Sequence, residues 1–462
     1  MILYRVTVLS FRYCFSNKKS LDTVHTMSVL VTLVVLLSCS IGHIRSDGSC
    51  NKLYDSFSQH LASKTPYRYV ANYNAEPIHF EGCNASKIWL VQRHGTRTPG
   101  KELTEFVKNR LPQIQQDIVK NLDKSKLCNK DEIKAWSSHK ELDDLKRLTK
   151  EGEDELLAIA ERMQLRFPNL LNQPFENTNF LFRFTGTQRT NVSAKQFATG
   201  IFGHHEVKKV VFDDPLPKDP LLRFYKVCQK WKNDVKKSPT ASIEYQKFIE
   251  NQLTNETLNS ISTRLGLDYT LTFNDVKSMY IYCGFETAWE KNKVSPWCSI
   301  FDKSDLELFE YSEDLKHYLI DGYTYQLTYK QACVLLKNAI EHFDNKDLNS
   351  KNGIFYFTHS GTILKMFGVL GLFKDENELK HDNYIEMKNR QWRTSKIDAF
   401  ASNLAFVLYE CNKNQSKILT LHQERIIHLK GCDDILCSYD KFKELYQNEL
   451  QNCDFNEMCN ID

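Results

Sequence analysis

Three short apolar runs in this chain each stop at a cationic or imidazole side chain, and each is followed by a helical pattern. The first is Ile88-Trp89-Leu90-Val91, which ends in Gln92-Arg93-His94-Gly95-Thr96-Arg97-Thr98-Pro99 before helical spacing resumes around Glu102. The second is Phe180-Leu181-Phe182-Arg183-Phe184, which runs into Thr185-Gly186-Thr187-Gln188-Arg189 and an amphipathic stretch through Ala194, Phe197 and Ala198. The third is Gly353-Ile354-Phe355-Tyr356-Phe357, followed by Thr358-His359-Ser360-Gly361-Thr362 and apolar helical spacing from Ile363 to Leu370. Short apolar runs bounded by Gly, Pro and polar residues read as buried strands. Three strand-to-helix junctions predict an α/β fold: a sheet covered by helices, with the junction side chains gathered at the carboxyl ends of the strands, where open sheets bind ligands. Helix N-termini at the same place add backbone N–H donors for an anion.

The side chains at these junctions suit phosphate. Arg93, Arg97 and Arg189 carry planar guanidinium forks that bond oxyanions bidentately, which Lys cannot do. His94 sits between two arginines, so its charged form is disfavoured by like charge, and a neutral imidazole is a competent nucleophile. Taken singly, a lone Arg is more often half of a surface ion pair and a lone His at a strand end is more often structural. The cluster Arg93-His94-Gly95-x-Arg97-x-Pro99 carries the argument.

The 462 residues are long enough for one large domain or two to three smaller ones, with no internal repeat. Charge is balanced: setting aside Arg5, Arg12, Lys18, Lys19 and Asp22 in the first 40 positions leaves 57 residues of each sign. That balance argues against a nucleic-acid partner, whose footprint is a basic excess. From Met27, the favoured start, an apolar run ends at Ser38-Cys39-Ser40. It is shorter than the roughly 20 residues a bilayer span needs and has the form of a signal-peptide core, so residues 1–42 are expected to be removed, with cleavage near Ser40 or Gly42. No other run is long enough to span. Of 14 Cys, 12 remain beyond that segment, scattered and without paired zinc spacing, which reads as disulfides in an oxidising compartment. Close spacing suggests the local bridges Cys432–Cys437 and Cys453–Cys459, although spacing alone does not fix connectivity. Sequons at Asn84, Asn255 and Asn414 fit a secreted glycoprotein; Asn191 also heads one, but its place in the second junction argues against modification. The C-terminus carries no Lys-Asp-Glu-Leu type retention signal, so the expected location is the secretory pathway: secreted, cell-surface or lumenal. Membrane association and oligomeric state stay open.

Arg93 to Pro99 resembles the Arg-His-Gly-x-Arg-x-Pro motif of the histidine acid phosphatases, the branch of the histidine phosphatase superfamily that includes phytases. Thr96 stands where the phosphoglycerate mutase branch typically carries Glu. Further segments, Ser63-Lys64-Thr65-Pro66-Tyr67-Arg68, Ser295 to Phe301 (Ser-Pro-Trp-Cys-Ser-Ile-Phe), Glu310 to Lys316 and Gly431 to Cys437, are similar to the multiple inositol polyphosphate phosphatases, and the resemblance spans about residues 50–450. It implies a histidine phosphatase-type α/β sandwich domain, 50–204 and 326–462, with an inserted, mainly helical cap at 205–325. It implies His94 as the nucleophile that forms a phosphohistidine, and Arg93, Arg97, Arg189 and His359 as phosphate ligands. The implied substrate is a phosphorylated small molecule, an inositol polyphosphate, with 2,3-bisphosphoglycerate as a second. This chemistry needs no metal and no other cofactor.

One departure stands out. The inositol-phosphate subfamily reads His-Ala-Glu at the third junction, and the carboxyl group protonates the leaving alkoxide. Here the segment is His359-Ser360-Gly361, and neither Ser360 nor Gly361 supplies an acid. General acid catalysis is worth roughly 10²–10⁴-fold. Two expectations follow: a phosphomonoesterase with a substitute donor or reduced activity, or a pseudoenzyme that binds phosphorylated ligands without turnover. Asp382, Glu386 and a water held by Ser360 are candidate substitutes.

Overall fold

The computed structural model describes residues 57–138, 140–347 and 350–460. The expected leader, 1–42, lies outside these residues, as does Cys50. The three runs form strands β1 (Cys83–Arg93), β2 (Phe180–Phe184) and β3 (Gly353–Thr358). Four more strands go beyond those read from the sequence: β4 (Asn403–Cys411), β5 (Gln415–His422), β6 (Arg425–Ile426) and β7 (Leu436–Ser438). The sheet order is β2-β3-β1-β4-β5-β6, with β7 also paired to β5. β2, β3 and β1 are parallel, whereas β4 runs antiparallel to β1 and to β5.

Register places the site. Arg93 lies opposite Thr358, and Phe184 lies opposite Phe357, so the three parallel strands stop at one level. Residues 94, 185 and 359 therefore leave the sheet side by side. All six residues of β3 are buried, as a strand covered on both faces requires.

Six helices frame this sheet and its site: α1 (Lys150–Arg166), α2 (Gln188–Glu206), α3 (Phe273–Trp289), α4 (Lys303–Asp321), α5 (Cys333–Asp344) and α6 (Ser360–Val369). Alternation along the strands sorts the core into two layers. Leu90, Phe355, Phe357 and Val407 pack with Leu156 and Ile159 of α1 and Phe197 of α2. Trp89, Val91, Tyr356 and Phe406 share the opposite layer with Leu336 of α5 and Ile363 and Phe367 of α6. Between β2 and β3 the described residues are helices and loops, with one isolated bridge from Phe212 to Phe182.

Five disulfides join Cys83–Cys411, Cys228–Cys459, Cys283–Cys298, Cys333–Cys453 and Cys432–Cys437, and Cys128 is disulfide-bonded as well. The expected bridge between Cys432 and Cys437 is present. The one between Cys453 and Cys459 is not. Cys453 follows the helix Gln447–Gln451 and reaches α5, while Cys459 closes the helix Phe455–Cys459 and reaches the turn at Cys228. Each cysteine is carried to a different long-range partner by its own helix, so nearness in sequence does not pair them.

Candidate active site

The loop after β1 is fixed by a close backbone approach. A Cβ on Gly95 would lie 2.4 Å from the carbonyl oxygen of Gly152, and a Cβ on Gly152 would lie 2.2 Å from that of Thr96. The loop thus rests directly on the first turn of α1, where no larger residue fits. Glu155, also on α1, accepts from the Thr96 amide at 2.7 Å, the Thr96 hydroxyl at 2.9 Å and the Tyr67 amide at 3.1 Å. On the far side, the Arg93 amide donates to Ser402 O and the Ala401 amide donates to His94 O. His94 is held between these supports and is buried.

His94 Nδ1 lies 2.9 Å from Gly95 O. A carbonyl only accepts, so Nδ1 carries the proton and Nε2 keeps its lone pair. Burial lowers the His94 pKa well below the ordinary imidazole value, and Arg189, Arg93, Arg97 and His359 push the same way. The ring is neutral, oriented and nucleophilic.

Around it the structure gathers every cation read from the sequence. Arg93 donates through NH1 to Ser63 O at 2.9 Å and Asp398 O at 2.5 Å, with its guanidinium 4.8 Å above the Phe400 ring. Arg97 donates to Thr98 O at 2.7 Å and stacks 5.3 Å from Phe285 of α3. Arg189, on the first turn of α2, donates to His359 Nδ1 at 3.2 Å. That leaves His359 Nε2 as the donor to Thr185 Oγ1, 3.0 Å away. The His94 and His359 rings meet edge to face, 5.5 Å between centroids. Burial lowers the His359 pKa too, with Arg189 and Arg223 next in weight.

Two further cations went unread. Arg223 bears on both Arg189 and His359 electrostatically. Lys64 has its pKa lowered to about 7 by burial and by Arg93 and Arg97, against the pull of Glu313. Lys64 lies in a quoted segment, Ser63 to Arg68, but a single Lys there signalled nothing, and Arg223 stands in no motif. The Nε groups of Arg93, Arg189 and Arg223 are buried and lack a hydrogen-bond partner among the described residues. A buried guanidinium N–H without an acceptor is costly. Arg93, Arg97 and Arg189 bear on the neutral His94 and Arg223 on His359, and together they can cradle a tetrahedral oxyanion.

A family model described as histidine phosphatase superfamily (branch 2) matches residues 87–426. The chain belongs to this family. Among similar proteins, the multiple inositol polyphosphate phosphatase 1 of Drosophila melanogaster is 33% identical over 432 residues, covering 90% of this chain and 91% of that one. The Homo sapiens protein of the same name is 28% identical over 336 residues, 68% of each. Among solved structures, the phytase from D. castellii superposes with a TM-score of 0.73 at 16% identity, covering 88% of both chains. The Bifidobacterium longum multiple inositol polyphosphate phosphatase in complex with inositol hexasulfate gives 0.64 at 15% identity, covering 81% of this chain and 94% of that one. These two likenesses concern the fold, and it is the histidine acid phosphatase type.

The third junction departs from its expected chemistry in a defined way. Gly361, in the first turn of α6, has no side chain, and the space beside it is filled. A Cβ there would lie 3.2 Å from Asp321 Oδ1 and 3.3 Å from Cζ of Tyr225. Asp321 is bound by Lys365 Nζ and by His317 Nδ1 at 2.8 Å, and its pKa falls far below the carboxylate range: burial opposes this, but Lys365 and His317 outweigh it. Ser360 donates its hydroxyl to Asp398 Oδ2. The two carboxylates considered as substitutes, Asp382 and Glu386, are exposed on the surface.

Proposed function

We propose that the chain is a phosphomonoesterase of the secretory pathway that hydrolyses inositol polyphosphates through a phosphohistidine on His94. The observation that carries this reading is a neutral His94 with an unprotonated Nε2, set in the field of Arg93, Arg97 and Arg189, of which Arg93 and Arg189 each bury an Nε without an acceptor among the described residues. The names of its relatives support the inositol polyphosphate class; 2,3-bisphosphoglycerate, as a second substrate, rests on the family resemblance alone. Arg93, Arg97 and Arg189 hold the phosphate oxygens, and His359 joins them by turning its Nε2–H from Thr185 Oγ1 to the anion. His94 Nε2 attacks phosphorus in line as the ester P–O bond breaks, and water then cleaves the N–P bond. The helical stretch 205–325 acts as a cap over this site; Arg223, Tyr225, Phe285, His317 and Asp321 all come from it. Disulfides support an oxidising compartment, since cytosolic thiols are kept reduced. Asn84, Asn255 and Asn414 are exposed, as glycosylation requires.

A second reading, a pseudoenzyme that binds phosphorylated ligands, is favoured by the side-chain-free Gly361. Phosphate release from inositol hexakisphosphate and from 4-nitrophenyl phosphate, measured on one preparation, separates the two. Release from both supports the enzyme. Tight phosphate binding with release from neither supports the pseudoenzyme.

A further inference from the structure

We propose that Ser360 and Asp398 form a proton relay that replaces the carboxyl group absent from residue 361, with Ser360 as the group that meets the leaving-group oxygen. The relay rests on the phosphatase reading above. Ser360 directly follows His359, opens α6 and is half-buried. Its hydroxyl is hydrogen-bonded to Asp398 Oδ2, donating while Asp398 is a carboxylate and accepting once Asp398 is protonated, which frees the Ser360 proton for the leaving group. Asp398 is fully buried, on the turn after the short helix Thr394–Ile397, and Arg93 ties it to the phosphate cradle twice: NH1 donates to its backbone oxygen at 2.5 Å and lies 3.5 Å from Oδ2. The second carboxyl oxygen, Oδ1, is buried without a partner among the described residues. A buried carboxylate oxygen left bare is costly, and a proton on the group relieves that cost.

The charged and titratable groups bearing on Asp398 are Arg93 from β1, Lys64 from the turn Ala62–Lys64, and His317 from α4. Burial outweighs them, and the pKa of Asp398 is raised. Asp321, the carboxylate nearest to residue 361, is unsuited to donate because Lys365 and His317 hold it ionised. Among the described residues no ammonium is bound to Asp398: its carboxyl group is hydrogen-bonded to a hydroxyl that can pass a proton on, with the Arg93 guanidinium farther off at 3.5 Å.

The step balances. As the N–P bond to His94 forms and the ester P–O bond breaks, the Ser360 hydroxyl proton goes to the departing oxygen, and the Asp398 proton replaces it on Ser360. Asp398 is left as a carboxylate. In the second half, that carboxylate takes a proton through Ser360 from the attacking water as the O–P bond forms and the N–P bond breaks. Phosphate leaves, and both groups return to their starting states. Ser360 is thus the catalytic residue and Asp398 acts through it.

The test compares kcat/KM for inositol hexakisphosphate, whose alkoxide needs a proton, with kcat/KM for 4-nitrophenyl phosphate, whose phenolate departs without one; this parameter reports phosphoryl transfer to His94 and leaves out the phosphohistidine hydrolysis that both substrates share. Ser360→Ala and Asp398→Asn should each lower the ratio of the two at least about tenfold, a cautious part of what general acid catalysis supplies. Asp398→Glu should recover part of that loss. A purely structural role would lower both rates together and leave the ratio where it was, which would overturn the relay. The unaltered protein gives a reading that needs no variant: kcat/KM on the inositol substrate should fall on the alkaline side at a pH where kcat/KM on the aryl substrate holds. Parallel profiles would overturn the relay as well. Hydrolysis of the aryl ester alone would overturn the relay and leave a phosphatase. Hydrolysis of neither would overturn the phosphatase reading and the relay with it.

Discussion

Asp321 Oδ1 stands 3.2 Å from the point where a Cβ on Gly361 would be. The absent acid and the buried Asp321–Lys365 pair are therefore one feature: the carboxylate of one occupies the room that a side chain at the other would need. The contact is closer than ordinary packing, and the neighbour is half of a buried ion pair rather than a free side-chain end.

Restoring the carboxyl group by Gly361→Glu should for this reason fail as a single change. Backbone strain is not the obstacle, since Gly361 is not in the left-handed region. Overpacking typically costs about 1–3 kcal/mol, and a second carboxylate beside Asp321 adds repulsion. A thermal melt should show a lower Tm and assays no gain on inositol hexakisphosphate. Gly361→Glu with Asp321→Asn should recover much of the Tm, because the new carboxylate takes over Lys365. A single variant with unchanged Tm and raised turnover would contradict this account.

Phosphate binding should be accompanied by proton uptake at Lys64. In the free protein its pKa is lowered to about 7, and a bound dianion among Arg93, Arg97 and Lys64 restores the charged form. Titration calorimetry near pH 8.5 in buffers of different ionisation enthalpy should give uptake approaching one proton per phosphate, and close to none in Lys64→Met. The sign for folding is the reverse of a stabilising pair. Between about 7 and the unfolded value near 10.5 the unfolded chain binds more protons, so this group makes stability rise with pH across that window and withholds it below. Buffer-independent binding enthalpies would show that Lys64 does not feel the anion.

How much of this was legible follows from where each signal resides. Arg93, His94 and Arg97 fall within five consecutive residues, and β1 to β3 are apolar runs that carry Arg189 and His359 just beyond their ends, so local spacing revealed both strands and site. β4 was equally readable, since Leu404-Ala405-Phe406-Val407-Leu408-Tyr409 is a buried-strand run. The order β2-β3-β1, and the arrival of Lys64, Arg223, Asp321 and Asp398 at the site, depend on contacts between residues far apart in sequence. A single Asp or Lys in a charged stretch has no local mark that separates a buried site group from a solvated one. The same limit governs the cysteines: spacing gave Cys432–Cys437 and failed for Cys453 and Cys459.

Those long-range bridges should differ from the local one in energetic weight. Cys228–Cys459 closes a separation of 231 residues and Cys432–Cys437 one of 5. On a chain-entropy basis, replacing the first pair by Ser should cost about 5 kcal/mol and the second about 2 kcal/mol. Denaturant titrations of the two double variants check this. Equal losses would mean that effects in the native state, not chain entropy, set the contribution of these bridges.

The central claim is that a neutral His94 becomes the phosphoryl carrier, and trapping the phosphoenzyme tests it most directly. Phosphohistidine is lost in acid, so the protein should be mixed rapidly with 4-nitrophenyl phosphate, quenched in alkali and digested for mass spectrometry. The account predicts a phosphoryl group on the peptide that contains His94, and no such adduct in His94→Ala protein that melts at the temperature of the unaltered chain. Substrate turnover with no adduct in the unaltered protein, or an adduct that persists without His94, would contradict it.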